Sequence, residues 1–405
     1  MKIKKAVIFQ LIAISIIALI SCSKLQPKMN APDEALCAPG SLSQAQTVIF
    51  AKGNDEFFRV RTASSGLGPY FVSTGCGNCH ASDNRGFPST MVTRFGQTDS
   101  TGNQFLAEGA PQLQNYALPG YTPCALPPGA TSSKFIPPIT AGVGALELVS
   151  DADIIAMAEA NATNTNGVRG RPNWVSIPST ITPNPNSITQ NGKYIGRFGR
   201  KAAKYSVLEQ VAFAYNEDMG ITSNFYPNQP FNYLDNTAPQ APGNIEVDNT
   251  TINNVVFYCQ GLQYPLQRTP TDSTVMAGKS IFIGIGCADC HKQKLYTGNS
   301  PISFIANCQI SPYTDLLLHD MGPGLDDGYT EGDAKTSEWR TPPLWGLGLA
   351  PAAQGGQYYL LHDGRAHSID QAIRSLGGEA TTSVNRYINL SQSDRDALIK
   401  FLESL

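Results

Sequence analysis

Cys76-Gly77-Asn78-Cys79-His80 and Cys287-Ala288-Asp289-Cys290-His291 share one spacing, C-x-x-C-H, and everything else in the chain is read outward from them. Two thiols three positions apart on one turn of helix can form thioethers to both vinyl groups of a porphyrin. The histidine that follows then places its imidazole on the iron as proximal ligand. At the chain's frequencies of Cys and His, chance supplies about 0.002 such motifs, so two copies are a strong signal. A Cys₄ zinc site wants its two pairs about 15–20 residues apart, whereas these lie at 76–79 and 287–290. A thioredoxin-like pair would leave the histidine after each second cysteine unexplained. The reading is two covalently bound haems c, attached through Cys76 and Cys79 and through Cys287 and Cys290, with His80 and His291 on the irons. Glycine precedes each motif (Ser73-Thr74-Gly75 and Gly284-Ile285-Gly286), which lets the backbone pass close to a flat cofactor.

The chain has 405 residues, of which five are His and nine Cys, so each can be questioned separately. Beyond the two motifs only His319, His362 and His367 remain, all near the C-terminus. The first iron must therefore take a methionine as its sixth ligand, with Met91, Met157 and Met219 available, or keep that position open. An open position is where peroxide chemistry happens, and a closed one passes electrons only. Lys2, Lys4 and Lys5 precede an apolar run from Ala6 to Ile20 that ends in Ser21-Cys22, the pattern of an export signal. This ending resembles the bacterial lipoprotein signal, which implies a lipid on Cys22 and tethering to a membrane. Ser23 then points to the periplasmic side of the outer membrane. Formal charge is −3, which gives no basic footprint for nucleic acid.

In an oxidising compartment disulfides persist, and Cys37, Cys124, Cys259 and Cys308 remain to be placed. Two fall in each half, so the expected pairs are Cys37–Cys124 and Cys259–Cys308, although three pairings are possible. With 37 Gly and 28 Pro the chain is loop-rich. Helices are predicted to start at Ser150-Asp151-Ala152-Asp153, over Tyr205–Tyr215, over Thr251–Leu262, and after Ser391, the last with Leu398, Phe401, Leu402 and Leu405 on one face. No strand pattern of any length stands out, and 161–191 reads as a long loop. The expected fold is mainly α: two cytochrome c-like haem domains with long Gly/Pro-rich loops. Its divisions are a signal (1–22), a tether (23–47), an N-terminal haem domain (48–245) and a C-terminal one (246–405). The first haem unit is about twice what an electron carrier needs, and the surplus loops suit a pocket over a reactive iron.

Leu316-Leu317-Leu318-His319-Asp320-Met321-Gly322, Trp339-Arg340-Thr341-Pro342-Pro343-Leu344-Trp345-Gly346, Leu361-His362-Asp363-Gly364-Arg365-Ala366 and Gly377-Gly378-Glu379-Ala380 resemble strings of the bacterial di-haem oxidoreductases, a family described as peroxidases or thiol oxidoreductases. Gly170-Arg171-Pro172-Asn173-Trp174, Gly196-Arg197-Phe198-Gly199-Arg200-Lys201-Ala202 and Asp218-Met219-Gly220 match as well. More distantly the layout is similar to the di-haem cytochrome c peroxidases and to the di-haem enzyme that matures methylamine dehydrogenase. That resemblance implies an N-terminal haem reacting with hydrogen peroxide and a C-terminal haem supplying electrons from a periplasmic donor protein. It makes Asp218 the acid–base group for the peroxide proton, with Gln210 its hydrogen-bonding neighbour.

One departure stands out: Leu376 occupies the position where the closer family usually carries the histidine expected as distal ligand of the second haem. Leucine cannot ligate iron, which leaves Met321 and His367 as candidates. Arg340 is a candidate partner for a haem propionate. Trp339 is read either as an electron relay or as a packed core residue. The related peroxidases hold calcium between their domains, and no dedicated carboxylate cluster is visible for it here. The leading expectation is a peroxidase-like enzyme. A di-haem relay with both irons six-coordinate is the alternative, and a haem-based sensor or metal-handling accessory is the third.

Overall fold

Glycine sets the core, by letting two pairs of helices cross at contact distance. In a computed structural model, residues 41–80, 85–99, 102–235 and 244–405 are described; all belong to one compact unit, Ala35–Leu405. The export signal, Cys22, Cys37 and most of the tether lie outside the described residues. Helix Gln44–Phe57 packs on helix Asn249–Gly261, and helix Ser273–Gly284 packs on the C-terminal helix Gln392–Ser404. A Cβ on Gly53 would lie 2.0 Å from the carbonyl oxygen of Asn254, and one on Gly278 would lie 2.0 Å from that of Ala397. No side chain fits at either crossing.

The two pairs repeat each other in detail. Four residues after its glycine each first helix carries a phenylalanine, Phe57 or Phe282. Each ring lies 6.2 Å from the imidazole of its motif, His80 or His291, at an interplanar angle of 54°. Each also meets a ring from the partner helix, Tyr258 at 5.1 Å and Phe401 at 5.4 Å. The repetition gives each motif a helix pair of the same construction. Helix Asn249–Gly261, expected to lead into the second unit, packs on Gln44–Phe57 and brings Tyr258 against Phe57 beside the first motif. Helix Gln44–Phe57 likewise begins inside the stretch read as tether, capped by Ser43 and Gln46.

Other helices stand where their caps predict. Ser150 accepts from Asp153 N at 3.0 Å to start Asp151–Asn161, and Ser391 accepts from Asp394 N at 3.2 Å. Leu398, Phe401, Leu402 and Leu405 are buried along the C-terminal helix. The expectation of a mainly α fold holds loosely, because five small antiparallel sheets join the helices among the described residues. Strand Val92–Gly96 pairs with Thr131–Phe135, placing Arg94 opposite Ser133. Leu318–Asp320 pairs with Glu338–Arg340, setting His319 opposite Trp339. The long loop carries strand Asn173–Val175, paired with Lys193–Gly196.

The disulfide expectation is overturned. Cys124 and Cys259 are free thiols, while Cys308 is disulfide-bonded. Neither Cys37–Cys124 nor Cys259–Cys308 forms. Cys259 follows Tyr258 as Leu402 follows Phe401, so on the first helix pair it fills the place that leucine fills on the second. A small apolar thiol serves there as a packing group.

Candidate functional site

Each motif closes a single turn: His80 N donates to Cys76 O at 2.9 Å, and His291 N donates to Cys287 O at 3.0 Å. That turn sets two sulfurs and an imidazole on one side of the backbone. Gly286 enters the second motif at φ +95, and a Cβ there would stand 2.9 Å from Ser383 Oγ. Both motifs open onto one continuous cavity of about 490 Å³, which all four motif cysteines and both histidines line. Burial pushes the Cys76 and Cys287 thiols up to about 12 and Cys79 up to about 11.

The residues present fit haem. His291 Nδ1 meets Tyr313 O at 2.7 Å, and burial lowers the imidazole below its usual pKa, which leaves Nε2 neutral and free to ligate. Arg85, Arg200 and Arg340 converge on the cavity from separate segments. Burial, Arg340 and Arg85 together lower Arg200 to about 9, and burial lowers Arg340 to about 10. Backbone carbonyls hold them in place: Arg200 donates to Ile136 O at 2.7 Å, Arg340 to Gly199 O at 3.0 Å, and Arg85 to Trp345 O at 3.2 Å. Arg200 and Arg340, held on backbone carbonyls at a cavity wall, suit carboxylates from a guest, and haem brings propionates.

On the side of the first motif the structure brings Gln210, Asp218 and Met219 to the cavity wall; Met91 and Met157 do not line it. Asp218 caps the C-terminus of helix Val207–Glu217, and its carbonyl accepts from Val72 N and Ser73 N at 2.8 and 3.0 Å, tying it to the approach to Cys76. Its Oδ1 is buried without a hydrogen-bond partner. Burial raises its pKa against the pull of Arg94 and Lys204. The neighbouring Glu217 is pushed up to about 7 by burial, opposed by the same two cations. Arg94 and Lys204 also line the cavity. Sequence reading passed over both, since neither sits in a motif.

On the side of the second motif Met321 and Leu376 line the cavity and share one apolar cluster with Trp339 and Leu325. The backbone before Gly322 touches Gly377 and Gly378, so the methionine stands beside the leucine that replaces the expected histidine. His367 is exposed, is not part of the cavity lining, and bonds Tyr358 O through Nδ1 at 3.1 Å. His319 lies between two carboxylates, with Nδ1 at 2.8 Å from Glu379 and Nε2 at 3.0 Å from Asp315. Burial opposes its charge, yet Asp315 and Glu379 outweigh this and hold its pKa well above the usual value. Glu379 also accepts from Arg169 N and Asp320 N, at 2.7 and 3.1 Å.

Among the described residues one group has the spacing of metal ligands, Cys290 with Asp315 and His319. Both nitrogens of its imidazole are already engaged and its cysteine belongs to the second motif, so it reads as a charge network. Trp339, also on the wall, stacks on His362 at 3.8 Å and 9°, with Lys201 Nζ 3.8 Å from its ring centre.

One cavity lined by both C-x-x-C-H motifs, with arginines suited to propionates, defines a haem-binding oxidoreductase. The chain belongs to the di-haem oxidoreductases: residues 134–405 match the family described as "Di-haem oxidoreductase, putative peroxidase". That match takes in the second motif and Asp218 and begins after the first motif. Among solved structures the chain is similar to hydrazine synthase of Kuenenia stuttgartiensis, at 12% identity over 94% of this chain and 100% of that one, with TM-score 0.35. It is also similar to a MauG-like protein associated with microbial copper homeostasis, at 15% identity over 72% and 94%, with TM-score 0.32. Likeness at that level carries no weight for mechanism. No curated protein matches the chain.

Proposed function

We propose that the protein is an exported, lipid-anchored oxidoreductase carrying two covalent haems c. In this reading it reduces hydrogen peroxide at the N-terminal haem with electrons delivered through the C-terminal one. The first haem is held by Cys76, Cys79 and His80, the second by Cys287, Cys290 and His291, and Arg85, Arg200 and Arg340 receive propionates. The observation that carries the reading is Asp218 Oδ1, a buried carboxylate oxygen without a partner on the wall of the cavity that the first motif opens onto. Peroxide needs two electrons and two protons to become two waters. Bound haem supplies the redox chemistry, and a periplasmic donor protein supplies the electrons. Asp218 takes a proton from one peroxide oxygen and returns it to the other, and its raised pKa suits both halves of that exchange. Gln210 on the same wall orients the oxygen being protonated. Lipid on Cys22 would hold the enzyme at the periplasmic side of the outer membrane.

A relay has its own support, since Met219 and Met321 both line the cavity and could close both irons. Optical and electron paramagnetic resonance spectra of the ferric protein, before and after one-electron reduction and a peroxide pulse, separate the readings. The enzyme is expected to show a high-spin haem whose spectrum peroxide changes. Two low-spin haems that ignore peroxide in every redox state would make the chain a relay.

A further inference from the structure

Arg94 makes an unusual use of a buried charge. It sits mid-strand in Val92–Gly96 and is only 8% exposed, yet Nη1 has no hydrogen-bond partner. No ion pair to it forms among the described residues, although Glu331, Asp218 and Glu217 all act on it electrostatically. Its guanidinium is positioned instead by a ring, with Cζ 4.7 Å from the centre of Phe213 and Lys204 Nζ 3.5 Å from the same centre. Phe213 belongs to helix Val207–Glu217, the helix that Asp218 caps. One helix therefore fixes both a buried donor and a buried acceptor, Arg94 Nη1 and Asp218 Oδ1. The two line one cavity, feel each other's charge and do not bond. Leaving both unsatisfied is costly unless a guest bonds them.

We propose that Arg94 is a substrate-binding residue: a hydroperoxide sits between the two side chains, one oxygen accepting from Arg94 Nη1 and its O–H donating to Asp218 Oδ1. A small ligand with an acceptor and a donor side by side meets both orphan atoms, and a neutral apolar ligand meets neither. The assignment rests on the peroxide reading above and adds to it a cation that Asp218 and Gln210 do not supply.

The test is equilibrium binding of fluoride to the ferric holoprotein, followed optically, because fluoride takes an open ferric haem and is favoured by a nearby cationic donor. Arg94→Leu is expected to weaken fluoride binding at least tenfold. Arg94→Lys, which keeps the charge and serves if the leucine variant fails to fold, is expected to weaken it severalfold. Asp218→Asn, which sets an amide N–H donor where a carboxyl oxygen faces the anion, is expected to strengthen it, a change of opposite sign that general loosening of the pocket would not produce. Fluoride affinity unchanged in both Arg94 variants would overturn the role of Arg94 and leave the peroxide reading standing. A wild-type protein that binds neither fluoride nor peroxide would overturn both.

Discussion

Leu376, where the family resemblance leads one to expect a histidine, stands on the cavity wall and shares an apolar cluster with Met321. Leu376→His is expected to restore a bis-histidine second haem: its low-spin signal changes, and its reduction potential falls, because imidazole favours ferric iron more than thioether does. Redox titration followed by electron paramagnetic resonance checks this, and an unchanged spectrum would show that position 376 does not face the iron. His319 makes a separate prediction about pH. Its pKa is raised in the fold, so the stability it contributes is complete below about pH 6.5, the unfolded value, and is lost as pH rises through the raised one. Glu379, lowered through His319 and two backbone N–H groups against the opposing effect of burial, runs the other way and loses its contribution only as pH falls through its lowered value. His319→Gln, which strands Asp315 and Glu379, is expected to cost about 3–5 kcal/mol near pH 6. The gap in Tm between variant and wild type should narrow as the pH is raised, because only the wild type loses a proton there. A gap independent of pH would mean that His319 is neutral.

At the scale of elements, the glycine crossings decide whether each haem unit assembles. Ala397 O at one crossing is backbone and cannot yield, so Gly278→Ala is expected to destabilise the fold by about 1–3 kcal/mol. Thermal unfolding measures the loss, and the signals of the second haem should be disturbed before those of the first. Much of this architecture is legible in the sequence, because its signals are local. Ser150 and Ser391 announce their helices through a hydroxyl three residues before the amide it caps, and C-x-x-C-H announces a turn. What was not legible depends on partners. The periodicity of Thr251–Leu262 predicts a buried face but not which helix covers it, and that helix goes back to Gln44–Phe57. Strands of two to five residues, such as Tyr70–Phe71 and Val92–Gly96, are too short for alternation to register. Cysteine spacing cannot choose a pairing, and Cys259 turned out to be packing. Arg94 belongs to no motif; only the fold shows that its charge is buried and facing a cavity.

For the molecule as a whole, the shared cavity ties two levels of organisation together. The helix pairs are separate repeats, each with its own glycine crossing and its own phenylalanine against the motif histidine. The wall between them is built jointly: Arg200 comes from before helix Val207–Glu217 and Arg340 from the far side of the second motif, and Arg340 N donates to Arg200 O at 3.0 Å. Loop residues of the first half also reach the second motif, where Asn166 Nδ2 donates to Asp289 at 2.6 Å. In the proposed reading such a wall carries electrons from the second site to the first while each keeps its own ligands. A variant lacking only the second attachment, Cys287→Ala with Cys290→Ala, separates these roles. Intact-mass measurement is expected to find two covalent haems on the wild type and one on the variant. Fluoride binding at the first haem should survive, because Arg94, Asp218 and the first helix pair are untouched. Turnover of peroxide with a reduced donor protein should fall by at least about 10²-fold, the route for electrons having been removed while the acid–base group remains. Turnover that persists at the wild-type rate would mean that electrons enter the first haem directly, and the second unit would then have to be explained by something other than electron supply.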